Sequence, residues 1–153
     1  MNLKPSMIAE LAKINNIVAV KEASGDLAQV AEVARLVPEG FAIYSGNDDS
    51  ILQLLSVGGH GVISVLANVC PKETHDLVQK FFDGVIEGAR KLQLDMKPLI
   101  DSLFIEVNPI PVKTAMNLLG FEVGKLRLPL AEMDNKKLEV LKQQLINRGL
   151  RLC

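Results

Sequence analysis

Three short apolar runs, beginning near residues 17, 41 and 61, constrain the fold of this chain more than any other feature. Each is followed by a stretch that reads as a helix, and the starts lie about two dozen residues apart or fewer. That spacing suits right-handed crossovers that return each strand parallel to the last. The runs, Ile17–Lys21, Phe41–Ser45 and Val62–Val65, are apolar almost throughout, as expected of strands covered on both faces. Pro5 suits the first turn of a leading helix whose stripe is Met7, Ile8, Leu11 and Ala12. Asp26 is a good N-cap for a helix carrying Leu27, Val30, Ala31, Val33, Ala34 and Val37, which Pro38-Glu39-Gly40 breaks. A short helix from Ser50 to Val57 runs into Gly58-Gly59-His60-Gly61, and Pro71 opens another through Phe82.

After Asp83 the pattern is helical alone. Glu87 to Phe104 reads as one long amphipathic helix that Pro98 should kink. Asn108-Pro109-Ile110-Pro111 reads as an extended stretch, after which Pro111 starts a helix ended by Gly120. Asp134 caps a last helix to Asn147, with Leu138, Leu141 and Leu145 on its apolar face. The expected division is therefore a partial βα unit over residues 1–83 and a helical region over 84–153. A parallel sheet of so few strands would leave both edges open, so the pattern reads as the end of a larger α/β fold.

Composition narrows the function classes. The 153 residues are 48% hydrophobic and 23% charged, which fits a globular chain rather than a disordered one. A net charge of -1, with acids and bases interspersed, gives no electrostatic reason to expect nucleic acid or an anionic membrane as partner. No apolar run approaches the length of a membrane span. The start lacks the basic and apolar regions of a signal peptide. Cys70 and Cys153 do not make a disulfide scaffold, and reduced thiols in a cytoplasm are the simplest assignment. His60, His75 and Cys70 follow no metal-ligand spacing, so no metal is expected. Gly58-Gly59-x-Gly61 precedes a strand instead of opening a helix, unlike a dinucleotide loop.

Lys21 is the residue with chemical promise. It closes the first apolar run, and period-2 alternation puts Ile17, Ala19 and Lys21 on one face, with Val18, Val20 and Glu22 on the other. Pointing inward, its amine would be partly deprotonated by burial and able to condense with a ketone. Pointing outward, it would snorkel to water over a packed stem. The run by itself leaves both readings open. Glu22 and Asp26, close by, read as a solvated loop and a helix cap rather than as a catalytic pair.

Four motifs occur together: Ile17-Val18-Ala19-Val20-Lys21-Glu22-Ala23-Ser24-Gly25-Asp26, Tyr44-Ser45-Gly46-Asn47-Asp48, Gly58 through Val65 with Ala67-Asn68, and Asn108-Pro109-Ile110-Pro111-Val112-Lys113. In this order and spacing they resemble the C-terminal half of the dihydrodipicolinate synthase family, also called 4-hydroxy-tetrahydrodipicolinate synthases. The likeness runs from about Leu3 to the C-terminus. It implies an α/β fold, the C-terminal part of a TIM (βα)8 barrel with strands six to eight, followed by a helical C-terminal region. It also implies that Lys21 forms an imine with pyruvate, that the resulting enamine attacks L-aspartate 4-semialdehyde, and that no cofactor is needed. Ile63 matches a residue that contacts bound pyruvate mainly through its backbone, and Gly46 and Asn47 would lie at the mouth of the site. Tyr44 matches a packing position and reads as core. A homo-oligomer is the implied assembly.

The resemblance also marks what to expect elsewhere. The family's threonine-rich loop, its catalytic tyrosines and most of its lysine-feedback site belong to the N-terminal half. This chain has only Thr74, Thr114 and Tyr44 of those residue types, none at a matching position. Two other readings stand beside the synthase. One is another pyruvate-imine aldolase such as N-acetylneuraminate lyase, which Glu22-Ala23 and the motif ending at Lys113 disfavour. The other is a non-catalytic half-barrel that serves as an assembly module.

Overall fold

The computed structural model describes residues 2–153. Helices and strands follow in the order α1 (Pro5–Leu11), β1 (Ala19–Glu22), α2 (Leu27–Leu36), β2 (Ala42–Ser45), α3 (Ile51–Ser56), β3 (Gly61–Val62), α4 (Pro71–Phe82), α5 (Ile86–Leu103), α6 (Ile110–Leu118) and α7 (Asn135–Asn147). Single 3-10 turns at Asp48–Ser50 and Leu66–Asn68 precede α3 and α4. The chain divides into two compact units. One contains the residues through Ser64 with Asp76–Arg90, the other Val65–His75 with Lys91–Cys153. Helices α4 and α5 give residues to both.

In the first unit the strands form one parallel sheet in the order β1-β2-β3, each hydrogen-bonded to the next in sequence. The helices between them return the chain to the same end, as the spacing of the apolar runs requires. Helix α2 starts where Asp26 accepts the backbone N–H groups of Ala28 and Gln29, which closes orphan donors of its first turn. Its inward residues Val30 and Val33 join Ile8, Ala12, Phe41, Ile43 and Leu54 in a buried cluster, with Ile17 and Val20 packed against it. This places the core on one face of the sheet. Two strands are shorter than their apolar runs suggest. β1 begins at Ala19, and β3 holds only Gly61–Val62 because Val65 already leads into a 3-10 turn. Before pairing begins the alternation lapses: Ile17 packs on the cluster, whereas Val18 is 66% exposed.

The second unit is helical, with its own core of Leu66, Val69, Met96, Leu99, Leu103, Ala115, Leu141 and Leu145 among others. Pro98 lies inside α5, and the helix continues through it to Leu103. Asp134 caps α7 by accepting from the N–H groups of Lys136 and Lys137. The stretch from Asn108 to Pro111 is not extended. It is a turn that enters α6 at Ile110, with the Ile110 N–H donating to Val107 O and the Lys113 N–H to Pro109 O. Pro111 sits in the first turn of α6, where its missing N–H costs nothing.

Candidate active site

The register of the sheet decides where Lys21 projects. Lys21 lies opposite Tyr44, and Tyr44 opposite Gly61, so the three form one row across the sheet. Residues of one row share a face, and so do residues two apart along a strand. Ala19, Lys21, Ala42, Tyr44, Gly61 and Ile63 therefore belong to one face, and Val20, Glu22, Ile43 and Ser45 to the helix-packed one. The first face is open: Ala19 and Lys21 are exposed, and Ile63 is 50% exposed. Ile63 lies just past β3, its N–H donating to Ser45 O at 2.8 Å. Lys21 and Ile63 are thus brought together on the open face at the C-terminal ends of their strands.

Beside Lys21 a cavity of about 380 Å³ is lined by Asn2, Leu3, Ile8, Val20, Lys21, Glu22, Ala23 and Ser24. The loop after β2 closes over the same strand end. The Gly46 N–H donates to Glu22 O at 2.7 Å. Ser45, 1% exposed, holds the residue two on at both backbone groups, its hydroxyl donating to Asn47 O and accepting from Asn47 N–H. A Cβ built on Gly46 would stand 2.6 Å from Ala23 Cβ and 2.9 Å from Lys21 Cε. The glycine therefore lies directly against the lysine stem.

Several neighbours take other roles than their sequence positions suggest. Glu22 is not in a solvated loop. It is 6% exposed, and its carboxylate accepts from the Ser24 N–H at 2.6 Å and from the Gln29 amide at 3.2 Å. Those bonds tie the end of β1 to α2 and leave Glu22 on the face opposite Lys21. Asp26 is the helix cap expected. Tyr44 is half-buried on the face of Lys21 instead of in the core. Its ring lies over Gly61, where a Cβ would meet Cδ1 and Cε1 at 3.4 Å. Alternation with Ile43 could have assigned that face; the register to Lys21 could not be read from one strand. His60 uses Nδ1 to accept from the Ile43 N–H at 3.3 Å. Among the described residues no group of three or more His, Cys, Asp or Glu side chains converges on a metal-sized space.

A lysine at the C-terminal end of a parallel strand, on the face away from the helices, stands where the (βα)-barrel class of enzymes gathers its chemistry. The chain belongs to the Dihydrodipicolinate synthetase family, which its residues 1–147 match. The 4-hydroxy-tetrahydrodipicolinate synthase of Caldicellulosiruptor bescii is 59% identical over 150 residues, covering 98% of this chain and 50% of that protein. The crystal structure of dihydrodipicolinate synthase from Thermotoga maritima superposes with a TM-score of 0.94 at 41% identity, over 97% of this chain and 52% of that one. A chloride-inhibited dihydrodipicolinate synthase from Acinetobacter baumannii, complexed with pyruvate, gives 0.91 at 32% identity, over 97% of this chain and 51% of that one.

The chain thus spans about half the length of the relatives it matches, and the half is the C-terminal one. The fold is the C-terminal part of a TIM barrel, with β1 to β3 as strands six to eight, followed by a helical region. An enzyme family is established for it.

Proposed function

We propose that this chain carries the imine-forming half of a lyase that condenses pyruvate with L-aspartate 4-semialdehyde in lysine and diaminopimelate biosynthesis. The observation that carries the reading is the position of Lys21 at the C-terminal end of β1, on the open face that also holds Ile63. The pyruvate complex of the Acinetobacter baumannii relative supports the same substrate here. The Lys21 amine adds to the pyruvate ketone and water leaves, forming an imine. The imine withdraws electrons from the pyruvate methyl, which loses a proton to give an enamine. That carbon attacks the aldehyde of the semialdehyde; ring closure and transimination then free Lys21. No metal or organic cofactor takes part. Ile63 lines the pyruvate side through its backbone. The barrel portion is residues 1–83 and the helical region 84–153. The setting is the cytoplasm, and the assembled protein is a homo-oligomer.

Borohydride reduction in the presence of pyruvate tests the imine. A reduced pyruvyl group should appear on the peptide containing Lys21 and vanish in Lys21→Ala. Label spread evenly over the lysines, or persisting in the variant, would sink the assignment. Turnover by the 153-residue chain alone should be negligible in an assay coupled to the next reductase. Proton-shuttling help is commonly worth about 10²–10⁴-fold, and the family's shuttle lies outside these residues. Rates approaching those of an intact synthase would show that other groups suffice.

A second reading, a non-catalytic half-barrel that works as an assembly module, is favoured by one observation. Within the described residues β1 and β3 each pair with β2 alone, so both are edge strands. Mixing the chain with a polypeptide carrying the other strands separates the two readings, since only the first gains turnover.

A further inference from the structure

We infer that Gly46 is a positioning residue for Lys21, and that its missing Cβ sets the path of the lysine stem toward the reacting carbonyl. The inference rests on the imine reading of Lys21. A glycine is usually required by a left-handed backbone or by lack of space. Gly46 is absent from the positive-φ positions of the chain, so its backbone is one that any L residue can take. Space is what remains. A Cβ there would meet Ala23 Cβ at 2.6 Å, Lys21 Cε at 2.9 Å and Glu22 O at 3.3 Å. The Gly46 N–H bond to Glu22 O, and the Ser45 hydroxyl that grips Asn47, hold this backbone against β1. The loop therefore cannot retreat without breaking bonds, whereas the lysine end can swing aside. Once the tighter contact with Ala23 Cβ is relieved, an added methyl would be accommodated by moving the lysine end, and with it Nζ, the atom that must reach the ketone.

The contact with Ala23 would confuse a single substitution, so the comparison is between Ala23→Gly and Ala23→Gly/Gly46→Ala. In that pair the methyl at 46 meets the lysine without the Ala23 clash. Each full chain is followed by far-UV circular dichroism, by the rate of borohydride trapping of pyruvate on the Lys21 peptide, and by the ¹³C resonance of Lys21 after reductive methylation. The double variant should fold like its reference, shift the Lys21 resonance, and trap pyruvate about 10²-fold more slowly, the scale of a misplacement of roughly 1 Å. Trapping at the reference rate with an unshifted resonance would overturn the inference. Should the unaltered chain fail to trap pyruvate at all, the imine reading falls, and the resonance alone then decides the contact: shifted supports it, unshifted overturns it.

Discussion

Glu22 and Lys21 adjoin in sequence and face opposite sides of β1, and this separates the hydrogen-bonded carboxylate from the amine proposed to react. Glu22 accepts the Ser24 N–H and the Gln29 amide from a position 6% exposed. Removing the acceptor leaves those donors poorly solvated, which typically costs about 1–3 kcal/mol. Glu22→Ala should lower the urea midpoint accordingly, and Glu22→Gln, which keeps a carbonyl acceptor, should lower it less. The cysteines differ in the same way. Cys70 is buried, and its thiol is pushed up to about 11, first by burial and then by the Glu73 carboxylate, with Arg148 partly offsetting them. Cys153 is exposed. A thiol reagent at mildly alkaline pH should modify Cys153 in the folded chain, and Cys70 only after denaturation. The pH dependence follows with a definite sign. An unfolded thiol ionises near pH ~8.5, so above that the unfolded state has lost a proton that folded Cys70 keeps. Stability should fall as pH rises from there toward about 11, the value to which Cys70 is raised. Urea midpoints across that window should flatten in Cys70→Ala relative to the parent chain.

Among the elements, helix starts were legible in the sequence because capping is local chemistry. Pro5, Pro71 and Pro111 lie in first turns, and Asp26 and Asp134 accept the N–H groups two and three residues on. Replacing Asp134 by Ala should destabilise the chain by about 1 kcal/mol, while Asp134→Asn should cost only a few tenths. Thermal midpoints of the two variants check this, and equal losses would mean that charge rather than the acceptor matters. Strand ends were less legible, because a strand exists only where a partner pairs with it. Ile17 and Val18 read as strand, yet the ladder begins at Ala19, and Ile17 turns onto the core. Val65 reads as strand and instead leads into a 3-10 turn. The Asn108 to Pro111 stretch misled for another reason: its prolines suit a helix entry as well as an extended segment, and only the bond from Ile110 to Val107 decides. The same limit applies at the site. Lys21 stood out by its place at the end of an apolar run, whereas Tyr44 as its row neighbour and Gly46 against its stem depend on register and loop path.

For the molecule as a whole, the relatives set the scale: the chain covers 50% of the Caldicellulosiruptor bescii protein, and the sheet of the described residues holds three strands of a barrel of eight. In a closed barrel each strand has two neighbours and its inner face is packed by side chains from the others. Among the described residues β1 and β3 keep one neighbour each, and Ala19 and Ile63 lie exposed on the open face with Lys21. Val18, just before β1, is 66% exposed as well. The unpaired backbone groups along β1 offer a template for another strand. Covering the apolar side chains is worth roughly 25 cal/mol per Å², so burying a few of them contributes several kcal/mol toward association. We therefore expect the isolated chain to associate at micromolar concentration, half-barrel against half-barrel or as larger aggregates. Replacing Ile63 by Lys should weaken that association, because the substitution puts a charge into the surface that would be covered. Light scattering with sedimentation equilibrium measures it. A monodisperse species of 16.7 kDa that unfolds cooperatively would show that the open face is stable in water and would rule the expectation out.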